Sequence, residues 1–275
     1  MPEMQQSDAT PGTLFLETTV QAARTLGSRR EREAYRRAHS GCVLLSSTYV
    51  LGEFKKTFLR DAVRFHLLLL DSETPAEALQ RLTRRFRHRT HPRCVQLFAV
   101  LVEDGEIDRD VLLSKLESLV EWQLEGRFLE RLSRDLYDDT GCMRARAQAT
   151  RRESGYELRE VRCSKDDPPG CRIGEFWSRH GESLAKVHGH MRSQTDPESQ
   201  RVAQACSDVQ SGVDPHGTHC VALADTVISL ECPVEMVLQT TNRTHFEPLC
   251  AILGKRVAVW RWEPPPATSS PDASR

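Results

Sequence analysis

Four oxygen-bearing side chains stand where short apolar runs of this sequence begin or end. Glu17 closes TLFL, Glu53 lies in the segment after CVLLSS, Asp225 heads ADTVISLE, and Asn242 follows VEMVLQTT directly. Three carboxylates and one amide, gathered with no fixed counter-charge, would repel one another. Hard divalent cations prefer such all-oxygen sites, and Mg2+ or Mn2+ would relieve the repulsion. Each residue taken singly has a plainer reading. Glu17 is then a solvated strand end, Glu53 a helix-surface glutamate, Asp225 an acid favoured by a helix dipole, and Asn242 a turn former.

The elements that would have to gather these groups are legible as runs. TLFLE reads as a short strand, VQAARTLGSRREREAYRRAH as helix, and CVLLSS as a buried parallel strand. TYVLGEFKKTFLRDAVRFHLLLL then resumes helical periodicity, with Ser46 or Ser47 as its N-cap. Toward the C-terminus, LADTVISLE, VEMVLQ, FEPLCAILG and RVAVWRW read helix, strand, helix, strand, with Gly254 where a helix should stop. Alternating β and α with continuous apolar strands indicates an α/β fold around a central parallel sheet. In such a sheet, ligands gather beyond the carboxyl ends of the strands, where all four polar groups fall.

Between these zones the sequence changes. Residues 72–137 are helix-rich, and Leu113, Leu116, Val120, Leu124, Phe128 and Leu132 recur at steps of three or four on one face. From Cys142 to about Pro215 the chain turns polar, which predicts irregular structure with one helix through GEFWSRHGESLAKVH. The expected division is a mobile N-terminus (1–12), an α/β domain in two pieces (13–70 and 216–262), an inserted helical and irregular region (71–215) and a mobile tail (263–275).

Composition bounds the partners. A net charge of −1 over 275 residues gives no global attraction for a polyanion, so any such case rests on local patches. RLTRRFRHRTHPR, Arg81–Arg93, is one patch; Arg84, Arg85 and Arg87 are its candidate nucleic-acid contacts. The nine cysteines are odd in number and show no framework, which favours reduced thiols in a cytoplasmic protein. Cys163, Cys171, His180, His188, His190 and Cys206 do not match the usual zinc spacings. The longest aliphatic run, Leu67–Leu70, is too short to span a bilayer, so no membrane is expected. No Walker loop, dinucleotide fingerprint or nucleophile elbow is present.

TLFLETTV, LLSSTYVLGEF, ADTVISLE and TTNRTHF together resemble the four motifs of the PIN-domain nucleases, with Phe246 four residues after Asn242. Two features differ from the family pattern. Glu17 stands where the family usually has Asp, which moves its oxygens by on the order of 1.5 Å. A gap of 172 positions (225 − 53) separates Glu53 from Asp225, hence the reading of an insertion. The resemblance implies a PIN-like three-layer α/β/α domain that hydrolyses RNA phosphodiester bonds with Mg2+ or Mn2+. Glu17, Glu53 and Asp225 would hold metal, Asn242 would complete the site, and Thr19 and Thr241 would support it. RNA is the implied substrate, with an inhibitory or scaffold protein partner or a homodimer as further partners. The alternative is a catalytically degenerate PIN-like scaffold that binds RNA or protein.

Overall fold

The computed structural model describes residues 12–85, 90–102, 105, 108–133, 135–161, 163 and 170–261. Most of both expected mobile ends lies outside them. Strand β1 (Thr13–Leu16) buries Leu14, Phe15 and Leu16, and Glu17 turns the chain into helix α1 (Thr18–Leu26). The single helix expected over VQAARTLGSRREREAYRRAH is two. At Gly27 an added Cβ would lie 2.2 Å from the Ala23 carbonyl oxygen, so only glycine fits this break. Ser28 then opens α2 (Arg29–Ala38) through a reciprocal capping box with Glu31. After β2 (Val43–Leu45), Ser47 accepts from the Val50 N–H at 3.2 Å and caps α3 (Thr48–Phe54). A π-turn, Lys55–Leu59, joins α3 without a break to α4 (Arg60–Leu70).

Helices α5 (Pro75–Arg85), α6 (Thr90–Leu101), α7 (Arg109–Ser118) and α8 (Leu124–Leu129) follow. The apolar series predicted on one face is buried from Leu113 to Phe128. Its later steps are all four residues, longer than the α-helical 3.6. A second π-turn, Leu119–Gln123, falls within that series and takes up the drift.

The described residues of 142–215, a stretch expected to be largely irregular, form regular elements over most of their length. They include an antiparallel hairpin, β3 (Gln148–Arg152) and β4 (Gly155–Arg159), then α9 (Ile173–Arg179), α10 (Gly181–Arg192) and α11 (Pro197–Gln210). The one predicted helix is two, because the backbone at His180 leaves the helical region. In α11, Asp196 accepts from the N–H groups of Glu198 and Ser199, and Pro197 occupies the first turn. Its buried side chains are only Ala203, Ala205 and Cys206, too small to give an apolar stripe.

The chain closes with α12 (Gly217–Ala222), α13 (Ala224–Glu231), β5 (Val237–Thr240), α14 (Arg243–Leu253) and β6 (Arg256–Val259). The strand expected from Val234 starts only at Val237, because Met236 N–H bonds back to the Pro233 carbonyl in a turn. Gly254 ends α14 at φ 64°, the left-handed stop its position predicted. The four main strands are all parallel, in the order β2-β1-β5-β6, so the first and last parts of the chain share one sheet in a mixed α/β fold. Alternate strand residues enter two apolar clusters. Leu14, Leu16 and Leu44 pack with Val20 and Tyr35, while Phe15, Leu45 and Leu238 join a large core. That core also contains Leu82, Leu97, Leu116 and Phe176, so the middle helices and the sheet are packed as one body of side chains. Among the described residues, no helix is long and apolar enough to cross a membrane.

Candidate functional site

Glu17 sits at the carboxyl end of β1, 1% exposed, with its carboxylate turned into the fold. It accepts from the N–H groups of Thr19 (2.7 Å), Val20 (3.3 Å) and Thr241 (3.3 Å), from the Thr240 hydroxyl (3.0 Å), and from the Thr19 hydroxyl. The longer glutamate thus caps α1 and also ties β1 to the end of β5. Burial raises its proton affinity above the ordinary carboxylate value, and these donors offset part of the rise. Thr19 and Thr241 belong to the same knot. Their hydroxyls meet at 2.5 Å, and the Thr241 N–H bonds to the Thr19 hydroxyl at 3.2 Å. The Asn242 N–H is fixed by the Thr240 hydroxyl at 2.8 Å.

Glu53, Asp225 and Asn242 line a cleft of about 950 Å³ at this edge of the sheet, whereas Glu17 does not. Glu53, in the last turn of α3, is half-buried and accepts from the Thr18 hydroxyl at 2.9 Å. Its carboxyl is pushed up to about 7, first by burial and then by the nearby charge of Asp225, with a smaller push from Glu17. Asp225, in the first turn of α13, holds His245 of α14 through Oδ2 to Nδ1 at 2.9 Å. The Asn242 side-chain amide has no hydrogen-bond partner among the described residues. On its sheet side the cleft therefore presents two carboxylates, Glu53 and Asp225, and one uncommitted amide. Among the described residues, no group of three or more His, Cys, Asp or Glu side chains is arranged to hold an ion.

One expectation needs correction. The carboxylates are not without a fixed counter-charge: Arg144 is 7% exposed and close enough to lower the proton affinity of Glu53. It comes from the polar stretch after Cys142 and packs its Cβ against Gly52, beside Glu53 in α3. Nothing in the sequence around Arg144 marks it, because it lies in a short 3-10 turn with no apolar periodicity. His245 was missed for a different reason. It stands one residue before Phe246 in TTNRTHF, and only the packing of α14 against α13 brings it to Asp225. The far wall of the cleft includes His190, Asp196, Glu198 and Arg201, all from the stretch expected to be irregular.

None of the described arginines of the predicted basic patch lines this cleft. Arg93 is drawn onto the buried carboxylate of Asp61 at 2.5 Å, and Arg81 pairs with Glu77. Arg84 and Arg85 are exposed at the end of α5, and Arg87 lies outside the described residues. Comparison of the chain with protein-family models, with curated proteins and with solved structures finds no match.

Proposed function

We propose that this chain is a PIN-like, metal-dependent ribonuclease of the cytoplasm, with a three-layer α/β/α domain and the middle helices as an insertion. One observation carries the reading. Glu53 and Asp225, from helices following β2 and preceding β5, face one cleft with Asn242, and the charge of Asp225 adds to the cost of ionising Glu53 there. Two carboxylates held against their own repulsion are a cation site by chemistry. The parallel sheet, with apolar clusters taking alternate strand residues, supports the architecture.

When bound, Mg2+ or Mn2+ supplies neutralising charge and makes a water more acidic at neutral pH. Glu53 and Asp225 would hold it, and the Asn242 amide oxygen would complete the oxygen set. Glu17 fixes the Thr19, Thr240 and Thr241 knot that aims Asn242 at the cleft. His245 competes for Asp225 and is displaced or retained according to how firmly the cation is held. RNA as substrate, and a protein partner or second copy as regulator, belong to the same proposal.

Mn2+ binding by calorimetry on wild type and Asp225→Ala, with RNA cleavage in parallel, tests it. The expected result is binding and metal-dependent cleavage in wild type, both lost in the variant. A second reading, the degenerate scaffold, is favoured by the complete commitment of Glu17 to internal donors. No Mn2+ binding by wild type would select it.

A further inference from the structure

Beside the carboxylate cleft lies a second cavity of about 340 Å³, walled by Lys56, Arg60, Arg144, Glu160, Cys163 and Gly217. Lys56 lines both cavities, so they adjoin through it. Three cations face the smaller one, and their charges are not equally spent. Arg60 is neutralised by Glu160, Nε to Oε1 at 2.5 Å. Arg144 is buried and donates to a neutral acceptor, the Gly217 carbonyl, at 3.2 Å. Lys56 has no hydrogen-bond or ion-pair partner among the described residues. Two cations without a hydrogen-bonded anion therefore share one small enclosure, Arg144 largely removed from water and both within electrostatic reach of Glu53. Burial and the charges of Arg144 and Arg60 make Lys56 a weaker base than an ordinary lysine. An anion bonding to both Lys56 and Arg144 would offset the cost of burying Arg144 against a neutral acceptor, so the arrangement fits an anionic occupant.

The charge count narrows the anion. An internal phosphodiester carries one negative charge, whereas a terminal phosphate monoester carries close to two near neutral pH. The volume narrows it further. Ligand pockets span roughly 300–1,000 Å³, so this one has room for a nucleoside attached to the phosphate. We infer that this cavity is a receiving pocket for the terminal phosphate of a nucleic-acid strand, placed beside the carboxylate cleft by Lys56 and Arg144. The inference rests on the nuclease reading for its choice of ligand.

The test is equilibrium binding of a fluorescent single-stranded RNA decamer carrying a 5′-phosphate, a 3′-phosphate or neither, measured in EDTA so that no cleavage occurs. One phosphorylated form is expected to bind at least about tenfold tighter than the unphosphorylated strand, as charge-assisted contacts to a dianion should give. Lys56→Gln is expected to abolish that preference and to reduce the salt slope of log K by about 0.7. Arg144→Gln is expected to do the same if it folds, and Lys56→Gln, at a half-exposed site, keeps the test open if it does not. Arg36→Gln, exposed on α2, should leave the preference intact. Equal affinity for all three strands would overturn the inference. So would inorganic phosphate binding that depends on Lys56 without any preference among strand ends, which would assign the pocket to free phosphate. Because no metal is present, failure here leaves metal-dependent cleavage standing. Failure of cleavage would likewise leave the end preference measurable.

Discussion

Two carboxyls at the two ends of helix α3 hold their protons unusually firmly, and they do so for different ends. Glu231, the last residue of α13, lies near the Ser47 cap of α3, 3% exposed, and is pushed up to about 8. Burial is the main cause, and the nearby hydroxyls of Ser47 and Thr140 offset only part of it. One oxygen accepts from Thr140 at 3.0 Å, while the other has no partner among the described residues. Glu53, at the far end, is pushed up to about 7 by burial together with a second carboxylate, and it opens on a cleft. A raised proton affinity alone thus marks both a core residue and a candidate site. Both have an acidic neighbour, Asp225 for Glu53 and Asp139 for Glu231, so access to the cleft is what separates them.

The comparison can be broken most directly at Glu53. Glu53→Gln should lower Mn2+-dependent RNA cleavage by about 100-fold or more in single-turnover assays, since a lost ligand costs at least as much as a lost supporting contact. Its stability in urea should stay level or rise, because the repulsion with Asp225 is gone. A variant that loses stability and keeps activity would place Glu53 with Glu231. Glu17 sharpens the contrast as a third case, buried yet fully supplied with donors. Glu17→Ala leaves those donors without an acceptor, and an expected loss of about 3 kcal/mol would be read from urea unfolding. Glu17→Gln should lose less, since it keeps one oxygen.

Glu231 gives the pH test. Its folded-state proton affinity is raised, so the protonated carboxyl favours the folded protein. That stability is full below the unfolded value of 4.5 and is lost as pH rises through about 8. Glu231→Gln should therefore flatten the pH dependence of urea stability across that window. At pH 9 it should be more stable than wild type, by an amount on the order of a few kcal/mol. The smallest effect is expected at His245. His245→Ala frees Asp225 from an exposed pair worth at most about 1 kcal/mol, so Mn2+ affinity should rise only a few-fold by calorimetry.

The sheet was legible in the sequence because its strands are short unbroken apolar runs at the chain ends, and the polar groups stand where those runs stop. TLFL and CVLLSS announce buried strands by composition, and Gly254 announces a helix end by its conformational freedom. Where the site departs from the reading, long-range packing is responsible. Glu17 looks like a free strand-end acid until Thr240 and Thr241, more than two hundred residues later, are seen to claim it. Arg144 is invisible in sequence because a single buried cation has no period. The α11 wall was hidden by small residues, although Asp196 and Pro197 carried its start in plain view.

The hydrogen bond from Thr240 to Glu17 joins residues 223 positions apart. During synthesis, β1 and β2 emerge early, and β5 follows some 190 residues later (237 − 45), on the order of ten to forty seconds at ribosomal speed. Until then, Asp225, Asn242 and the strand that completes the sheet do not exist. Any chemistry of this cleft is therefore withheld from the nascent chain until residues 225–242 have been made.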